Sequence, residues 1–166
     1  MFLSGNAPKP APFPILTDGL LNRAADGAPA APAGQLSPHG LVPTEFGVAR
    51  FDEVVGLGFV LVLAPGISPA QLSKASRDFL VDLDVHVAAL STALNGPNAV
   101  VDLQGKYTSY MAAAGLQALL IRPDFYIFGG AHDAASTDRQ IDGLRAQMTK
   151  FGFSRQGTQA LQAAAQ

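Results

Sequence analysis

The sequence contains no cysteine, and this absence removes several kinds of chemistry at once. Disulfide bonds, thiolate metal sites and thiol redox reactions all require cysteine. Charged residues are also scarce, since they make up 14% of the chain with a net charge of −2. Binding to a phosphate backbone depends on clustered lysine and arginine side chains. Because the sequence has no such cluster, we expect no nucleic-acid partner.

Long apolar segments are missing as well. The longest apolar run is FVLVLA, residues 59–64, which is far shorter than the ~20 residues that cross a bilayer as a helix. The N-terminal stretch MFLSGNAPKPAPFP has neither the basic region nor the apolar region of a signal peptide. We therefore expect a cytoplasmic protein without a membrane partner.

Hydrophobic residues, in contrast, make up 48% of the 166 residues, which is ample material for the core of one domain. Proline, alanine and glycine concentrate near the N-terminus, where proline disfavours both helix and central strand. The composition predicts an extended, Pro/Ala-rich N-terminal arm over residues 1–45, a folded domain over 46–152 and a flexible tail over 153–166. We expect the arm to pack along the domain or onto a second subunit through its apolar residues Phe13, Ile15, Leu16, Leu20 and Leu21.

The hydrophobic pattern of the folded domain alternates between strands and helices. Strands are predicted at 59–63, 84–90, 100–102, 116–121 and 125–128. Helices are predicted after a capping box at 68–71, at 106–114, and after a second capping box at 137–140. The last helix carries an apolar stripe made of Ile141, Leu144, Met148 and Phe151. A βαβ unit followed by a ββα unit predicts an α/β fold, a thioredoxin-like mixed sheet flanked by helices.

The segment LLIRPDFYIFGG, residues 119–130, places an arginine, a proline and an aspartate between two strands. Proline presets the backbone for a turn and aspartate can bond to the turn backbone, so Arg122, Pro123 and Asp124 are predicted to form a hairpin corner. Two roles remain open for Arg122. It can form a weak exposed ion pair at the corner, or it can dock onto a carboxylate or carbonyl elsewhere, for example on the N-terminal arm.

Four stretches of the chain resemble one enzyme family. Residues 121–127 (IRPDFYI) resemble the pattern L-x-R-P-D-x-Y-V-A-W-R, and residues 50–61 (RFDEVVGLGFVL) resemble L-D-D-V-L-G-x-G-F-x-L-L. Residues 100–105 (VVDLQG) are similar to V-V-D-P-x-G, and residues 14–19 (PILTDG) to a Pro-rich lead-in. Taken in chain order, these patterns follow the order found near the end of FAD-dependent aromatic-ring hydroxylases related to phenol and 3-(3-hydroxyphenyl)propionate hydroxylases.

The resemblance implies that the chain corresponds to the C-terminal thioredoxin-like domain of these hydroxylases, which carries no flavin chemistry of its own. FAD and NAD(P)H are therefore implied only for the full-length family. One departure concerns residues 127–130 (IFGG), which replace the aromatic-Arg ending of the family pattern. The motif positions that we assign to structural or docking roles are Asp52, Gly58, Asp102, Gly105, Arg122, Pro123, Asp124 and Tyr126.

We predict no catalytic, cofactor or metal site within the chain. The one glycine-rich candidate for a dinucleotide, Gly56-Leu57-Gly58, precedes a strand and lacks a third glycine. The histidines His39, His86 and His132 are scattered and have no local array of ligands.

Two further patterns have more ordinary interpretations. Tyr107, Tyr110 and Met111 can form a ring-binding box, but their helical spacing favours a place in the core. Asp82 and Asp84 lie at a helix-to-strand junction, where turn bonding is favoured over an acid/base pair.

Two functions remain open from the sequence. The first is a non-catalytic accessory domain of a phenolic-ring hydroxylase, whose partner is a flavin-binding domain, in cis or in trans, or a second copy of the chain. The alternative is an independent small binding protein that holds an apolar ligand or a protein partner.

Overall fold

The computed structural model describes residues 12–152, which fold around a five-stranded mixed sheet. A two-stranded hairpin precedes this sheet, and helices flank it. In chain order the elements are β1 (Leu41–Thr44), β2 (Gly47–Arg50), α1 (Phe51–Val55), β3 (Val60–Leu63), α2 (Lys74–Asp82), β4 (His86–Ser91), β5 (Ala99–Val101), α3 (Lys106–Ala113), β6 (Ala118–Ile121), β7 (Ile127–Ala131) and α4 (Ala134–Lys150). None of the helices in the described range has the length and apolarity that a membrane span requires.

The strand order is β5-β4-β3-β6-β7. Strand β4 runs parallel to both β3 and β5, whereas β6 is antiparallel to β3 and to β7. The parallel strands β3 and β4 are joined through α2, and the antiparallel strands β6 and β7 are joined by a short turn, as such pairings require. The predicted mixed α/β sheet flanked by helices is therefore confirmed, and so is the βαβ–ββα order.

Alternation along the strands divides the core between the two faces of the sheet. On β3, Val60 and Val62 belong to one cluster, and Leu61 and Leu63 belong to the other. The first cluster includes residues of α1 and α3, and the second includes residues of α2 and α4. All four residues of β3 are buried, as expected for a strand with helices on both sides.

Two predicted helix starts are wrong. The capping box at Ser68 forms, but it caps only a short 3₁₀ helix, Pro69–Gln71. Helix α2 begins after a separate N-cap, Ser73. The last helix starts at Ala134, not at Thr137, because Asp133 caps it and accepts a hydrogen bond from the Ser136 amide. The predicted apolar stripe is wrong for its last member, because α4 ends at Lys150 and Phe151, at the C-cap, is 76% exposed.

The hairpin β1–β2 is an element that the sequence did not predict. It pairs Leu41 with Arg50 in antiparallel register, and the predicted boundary between residues 45 and 46 falls in its turn. The presence of Gly47 is a weak signal for this hairpin in the sequence. It begins β2 with a φ of +127°, a conformation that favours glycine. The predicted flexible tail, residues 153–166, lies outside the described residues.

Candidate functional site

The Arg122 corner forms the predicted turn between β6 and β7. The Arg122 amide donates to the Tyr126 carbonyl at 2.8 Å, and the Phe125 amide donates to the Arg122 carbonyl at 3.0 Å. Asp124 is held by two bonds from the Arg122 guanidinium, Nε to Oδ1 at 3.1 Å and Nη2 to Oδ2 at 2.6 Å. Pro123 lies exposed at the corner. This paired geometry uses the planar fork that distinguishes arginine from lysine.

The guanidinium of Arg122 also contacts the N-terminal arm. Its Nη1 donates to the Leu20 carbonyl at 3.1 Å, across 102 positions of sequence. The Arg122 side chain is only 16% exposed, whereas that of Asp124 is 50% exposed. Because the arginine is largely shielded from solvent, it joins the corner and the arm more firmly than an exposed ion pair does.

The described part of the arm continues along β7 through main-chain hydrogen bonds. The Asn22 amide donates to the Phe128 carbonyl at 2.8 Å, and the Gly34 amide donates to the Ile127 carbonyl at 2.9 Å. The Ile127 amide donates in return to Gln35 at 2.8 Å, and Ser37 donates to Phe125 at 2.9 Å. The arm thereby satisfies backbone groups that β7, as the last strand of the sheet, would otherwise leave unpaired.

The arm buries only part of the apolar surface that the sequence assigned to it. Leu21 is fully buried, and Leu20 packs against the cluster formed with α2 and α4. The Leu21 carbonyl accepts a hydrogen bond of 3.0 Å from Gln147 on α4. Phe13 and Ile15 do not pack along the domain, since they are 70% and 64% exposed.

Two glycines of β7 allow the arm to approach this closely. A Cβ added to Gly129 would lie 2.7 Å from the Cβ of Asn22, and a Cβ added to Gly130 would lie 2.9 Å from the Cδ of Pro32. Both distances are shorter than real Cβ contacts, so neither position has room for a side chain. The IFGG segment departs from the family pattern in the sequence, but no local pattern connects its glycines with the arm.

Asp102 and Gly105 together form the N-terminus of α3. Gly105 is the N-cap with a left-handed φ of +63°, which glycine adopts without strain. The Oδ2 of Asp102 accepts a 3.0 Å hydrogen bond from the Thr108 amide, which is one of the donors left free in the first turn. The other oxygen, Oδ1, is buried and has no hydrogen-bond partner. This pair has a structural role in starting the helix.

Asp52 lies near the same helix, on α1. The ring of Phe51 packs at 4.7 Å from the ring of Tyr107, and Tyr107 is 3% exposed. Burial raises the pKa of the Tyr107 hydroxyl, and the negative charges of Asp52 and Asp102 raise it further. Tyr107 is therefore neutral at physiological pH, and both Tyr107 and Met111 are part of the hydrophobic core. Tyr110, in contrast, is half-buried.

The glycines at 56 and 58 do not fit a dinucleotide. Gly56 ends α1 and Gly58 precedes β3, so the helix comes before the turn and the strand after it. Pyrophosphate binding requires the opposite order, a strand that leads through glycines to a helix N-terminus. Gly58 instead adopts a φ of +152° beside a recess of about 270 Å³ that Asp84 and His86 also line.

The histidines and acidic residues are spread over the fold. His132 bonds to the Gly115 carbonyl through Nδ1 at 2.8 Å, and His86 lies in β4. Within residues 12–152, no group of three or more His, Asp or Glu side chains is placed to hold a metal ion. Among the motif residues, Asp102 and Gly105 lie at the N-terminus of α3. Arg122, Asp124 and Tyr126 meet at the Arg122 corner, whereas Gly58 lies apart, beside the recess.

Comparisons with known proteins agree with this arrangement. The family model for the HcaD C-terminal domain matches residues 34–147. A probable NADH-specific resorcinol 4-hydroxylase from Rhodococcus jostii (strain RHA1) is 31% identical over 138 residues, which are 82% of this chain and 23% of that protein. The chain thus spans about a quarter of the length of this curated relative.

The comparison with solved structures finds one flavin-dependent enzyme whose TM-score indicates a shared fold, and a weaker match to a second enzyme. The flavin-dependent monooxygenase PieE, in complex with FAD and substrate, superposes with a TM-score of 0.54 at 19% identity, over 83% of this chain and 25% of that one. Aklavinone-11 hydroxylase, in complex with FAD and aklavinone, matches 70% of this chain and 21% of that one, with a TM-score of 0.47 at 15% identity. Because the family model matches more than half of this chain, the chain belongs to the HcaD C-terminal domain family.

Proposed function

We propose that this chain is a non-catalytic accessory domain that packs against the flavin-binding part of an aromatic-ring hydroxylase. Its basis is the family of the chain, together with relatives of which the matched region is only about a quarter and which carry FAD or are named as hydroxylases. In this proposal, the domain packs against the flavin-binding part and orients it, while the flavin-binding part holds the cofactor and carries out the reaction.

The observation that carries the proposal is the attachment of the arm to the domain. Main-chain bonds to β7 and the Arg122 contact to Leu20 hold residues 20–37 on the sheet. In the family pattern, the lead-in at residues 14–19 follows the substrate domain. A lead-in that is anchored at its C-terminal end would fix the direction from which the preceding domain reaches this one.

The exposed residues before the anchor fit this role. Phe13 and Ile15 remain exposed although they are apolar, and they lie on the N-terminal side of the anchored segment. We propose that they belong to a larger apolar surface that forms when a partner covers them. The flavin-binding domain, in cis or in trans, is the partner that the proposal assigns to them.

A chimera tests the proposal. The region of the resorcinol 4-hydroxylase relative that matches this chain is deleted in one variant and replaced by residues 1–166 of this chain in another. We expect the deletion variant to lose bound FAD and NADH-dependent hydroxylation of resorcinol, and the chimera to recover both. A chimera no better than the deletion variant would reject the accessory role.

The non-catalytic part of the proposal has a separate test. The isolated chain is incubated with FAD, NADH and resorcinol, and flavin fluorescence and NADH absorbance are followed. We expect neither stoichiometric flavin binding nor NADH consumption. Flavin that remains bound through gel filtration would show that the chain holds the cofactor itself.

A further inference from the structure

The loop between β4 and β5 carries the one Asn-Gly pair of the sequence, Asn95-Gly96. Residues 92–98 are all exposed, so both members of the pair are open to water. Gly96 adopts a φ of +113°, and a Cβ added there would have no atom within 4 Å. The pair therefore lies outside the regular elements, with open space around it.

Neither reactive group of the pair is held by a hydrogen bond. Within residues 12–152, the side-chain amide of Asn95 has no partner, and the main-chain amide of Gly96 donates to no acceptor. The Gly96 carbonyl accepts one long bond of 3.4 Å from the Ala99 amide. Rotation about the bonds of Asn95 can thus bring the Gly96 nitrogen towards Cγ of Asn95 without the loss of a hydrogen bond from either group.

The other two asparagines of the described residues lack this arrangement. Asn22 precedes an arginine, and its own amide is bound to the Phe128 carbonyl at 2.8 Å. Asn98 precedes Ala99, the first residue of β5, whose amide is hydrogen-bonded and whose methyl group crowds the approach to the nitrogen. Glycine has no side chain in the way and adopts a wider range of backbone angles. Asn95 is therefore the asparagine that the fold leaves free to react.

We propose that Asn95 is a site of spontaneous modification, at which the side-chain amide is converted to a carboxylate. The Gly96 nitrogen loses its proton to hydroxide and attacks Cγ of Asn95. A bond forms between these two atoms, and the amide nitrogen takes a proton from water and leaves as ammonia, which closes a succinimide ring. Because the two groups are held next to each other in the chain, the step needs no catalyst. Water then opens the ring at either carbonyl and gives aspartate or isoaspartate.

The modification acts on the edge strand that follows the loop. Either product adds one negative charge to a chain whose net charge is −2. Isoaspartate also lengthens the main chain by one methylene group shortly before β5, the outer strand that pairs with β4. This inference does not rest on the proposed function, since it concerns the chemistry of one loop.

Mass spectrometry of the wild-type chain locates the site. The full chain is incubated in mildly alkaline buffer, and samples are digested with pepsin in acid, which stops the reaction. We expect the mass at Asn95 to rise with time by about 1 Da, the difference between an amide and a carboxyl group, while Asn22 and Asn98 keep their masses. An unchanged Asn95, or an equally fast gain at Asn98, would overturn the proposal. Asn95→Gln is the negative control, because glutamine would have to close a larger ring, and its peptide should show no gain.

The products test the route through the Gly96 nitrogen. Ring opening at either carbonyl gives isoaspartate together with aspartate, whereas direct hydrolysis of the side chain gives aspartate alone. Fragmentation by electron transfer distinguishes the two products at this position. We expect isoaspartate to be present and the rate to rise with hydroxide concentration. Aspartate as the sole product would reject the attack by Gly96.

A peptide comparison tests the role of the fold. A synthetic peptide with the sequence of residues 91–99 is incubated beside the folded chain. Because the loop is exposed and the pair has no hydrogen bond, we expect the two rates of mass gain at Asn95 to agree within about threefold. A folded chain that reacts more slowly than this would show that the structure restrains the loop, and the assignment of Asn95 as an open site would be wrong.

Discussion

The two edges of the five-stranded sheet are closed in different ways. At the β7 edge, the arm takes up backbone groups of residues 125–128 and buries Leu21 completely. At the β5 edge, the strand has three half-buried residues, and the β1–β2 hairpin beside it makes one main-chain bond nearby, from the Leu103 amide to the Leu41 carbonyl. The hairpin turn carries Phe46, which is 92% exposed.

This difference concerns how firmly a chain segment is anchored at each edge. The β7 edge has glycines that admit the arm, an arginine that bonds to it and a buried leucine that anchors it. The β5 edge has none of these three features in the described residues. Val42 of the neighbouring hairpin is buried in the core, whereas Phe46 in the hairpin turn faces solvent. Substitutions on the arm side should therefore reduce stability, and substitutions at the hairpin turn should not.

The largest effect is expected for Leu21→Ala. Removing a fully buried leucine side chain costs roughly 2–5 kcal/mol in free energy of unfolding, through lost burial and the cavity that remains. Ile15→Ala is the control on the same arm, because Ile15 is 64% exposed and should change stability by no more than about 0.5 kcal/mol. Urea denaturation of both variants measures the difference, and equal midpoints would mean that the arm is not part of the folded unit.

A smaller effect is expected for Gly129→Ala. The added methyl group would meet the Cβ of Asn22 at 2.7 Å, so the arm must move, at a cost of about 1–3 kcal/mol. Gly143→Ala is the matched control on α4, where the nearest atom, Oδ1 of Asn22, lies at an ordinary 3.8 Å. Alanine inside a helix should stabilise by roughly 0.5–1 kcal/mol. Thermal unfolding should therefore shift in opposite directions, and a shift in the same direction would argue against the close contact.

Replacing Arg122 separates the corner from the arm. Arg122→Ala removes the bond to the Leu20 carbonyl and both bonds to Asp124, and we expect a loss of about 1–2 kcal/mol because the site is partly exposed. Asp124→Asn keeps the arm contact and tests the ion pair alone, so its effect should be smaller. If the two variants lose equal stability in urea, the arm contact contributes nothing.

The smallest effect is expected at the other edge. Phe46→Ser changes a side chain that is 92% exposed, so the free energy of unfolding should stay within about 0.5 kcal/mol of the wild type. A loss of more than 2 kcal/mol would mean that the hairpin turn is packed against another part of the protein.

The sequence predicted the strands and the mixed sheet because their signals are local. The continuous apolar run of β3 and the Pro-Asp corner after β6 depend on residues close together in the chain. The start of α4 was misplaced because Asp133 and Ser136 cap it without the Glu or Gln of a standard capping box. The contacts of the arm could not be predicted from local sequence patterns, because Gly129 contacts Asn22 and Arg122 contacts Leu20 across about 100 positions of sequence. A pattern of apolar residues indicates that a segment will be buried, but not which strand will cover it.

The attachment of the arm to β7 is tested most directly by hydrogen exchange on the wild-type chain. The amides of Asn22, Gly34 and Ser37 donate to carbonyls of the β7 edge, so we expect them to exchange as slowly as amides of β6 and to open together with them. The amides of Phe13 and Ile15 serve as the exposed reference on the same segment. Exchange of Asn22, Gly34 and Ser37 at the rate of an unstructured chain would contradict the anchored arm.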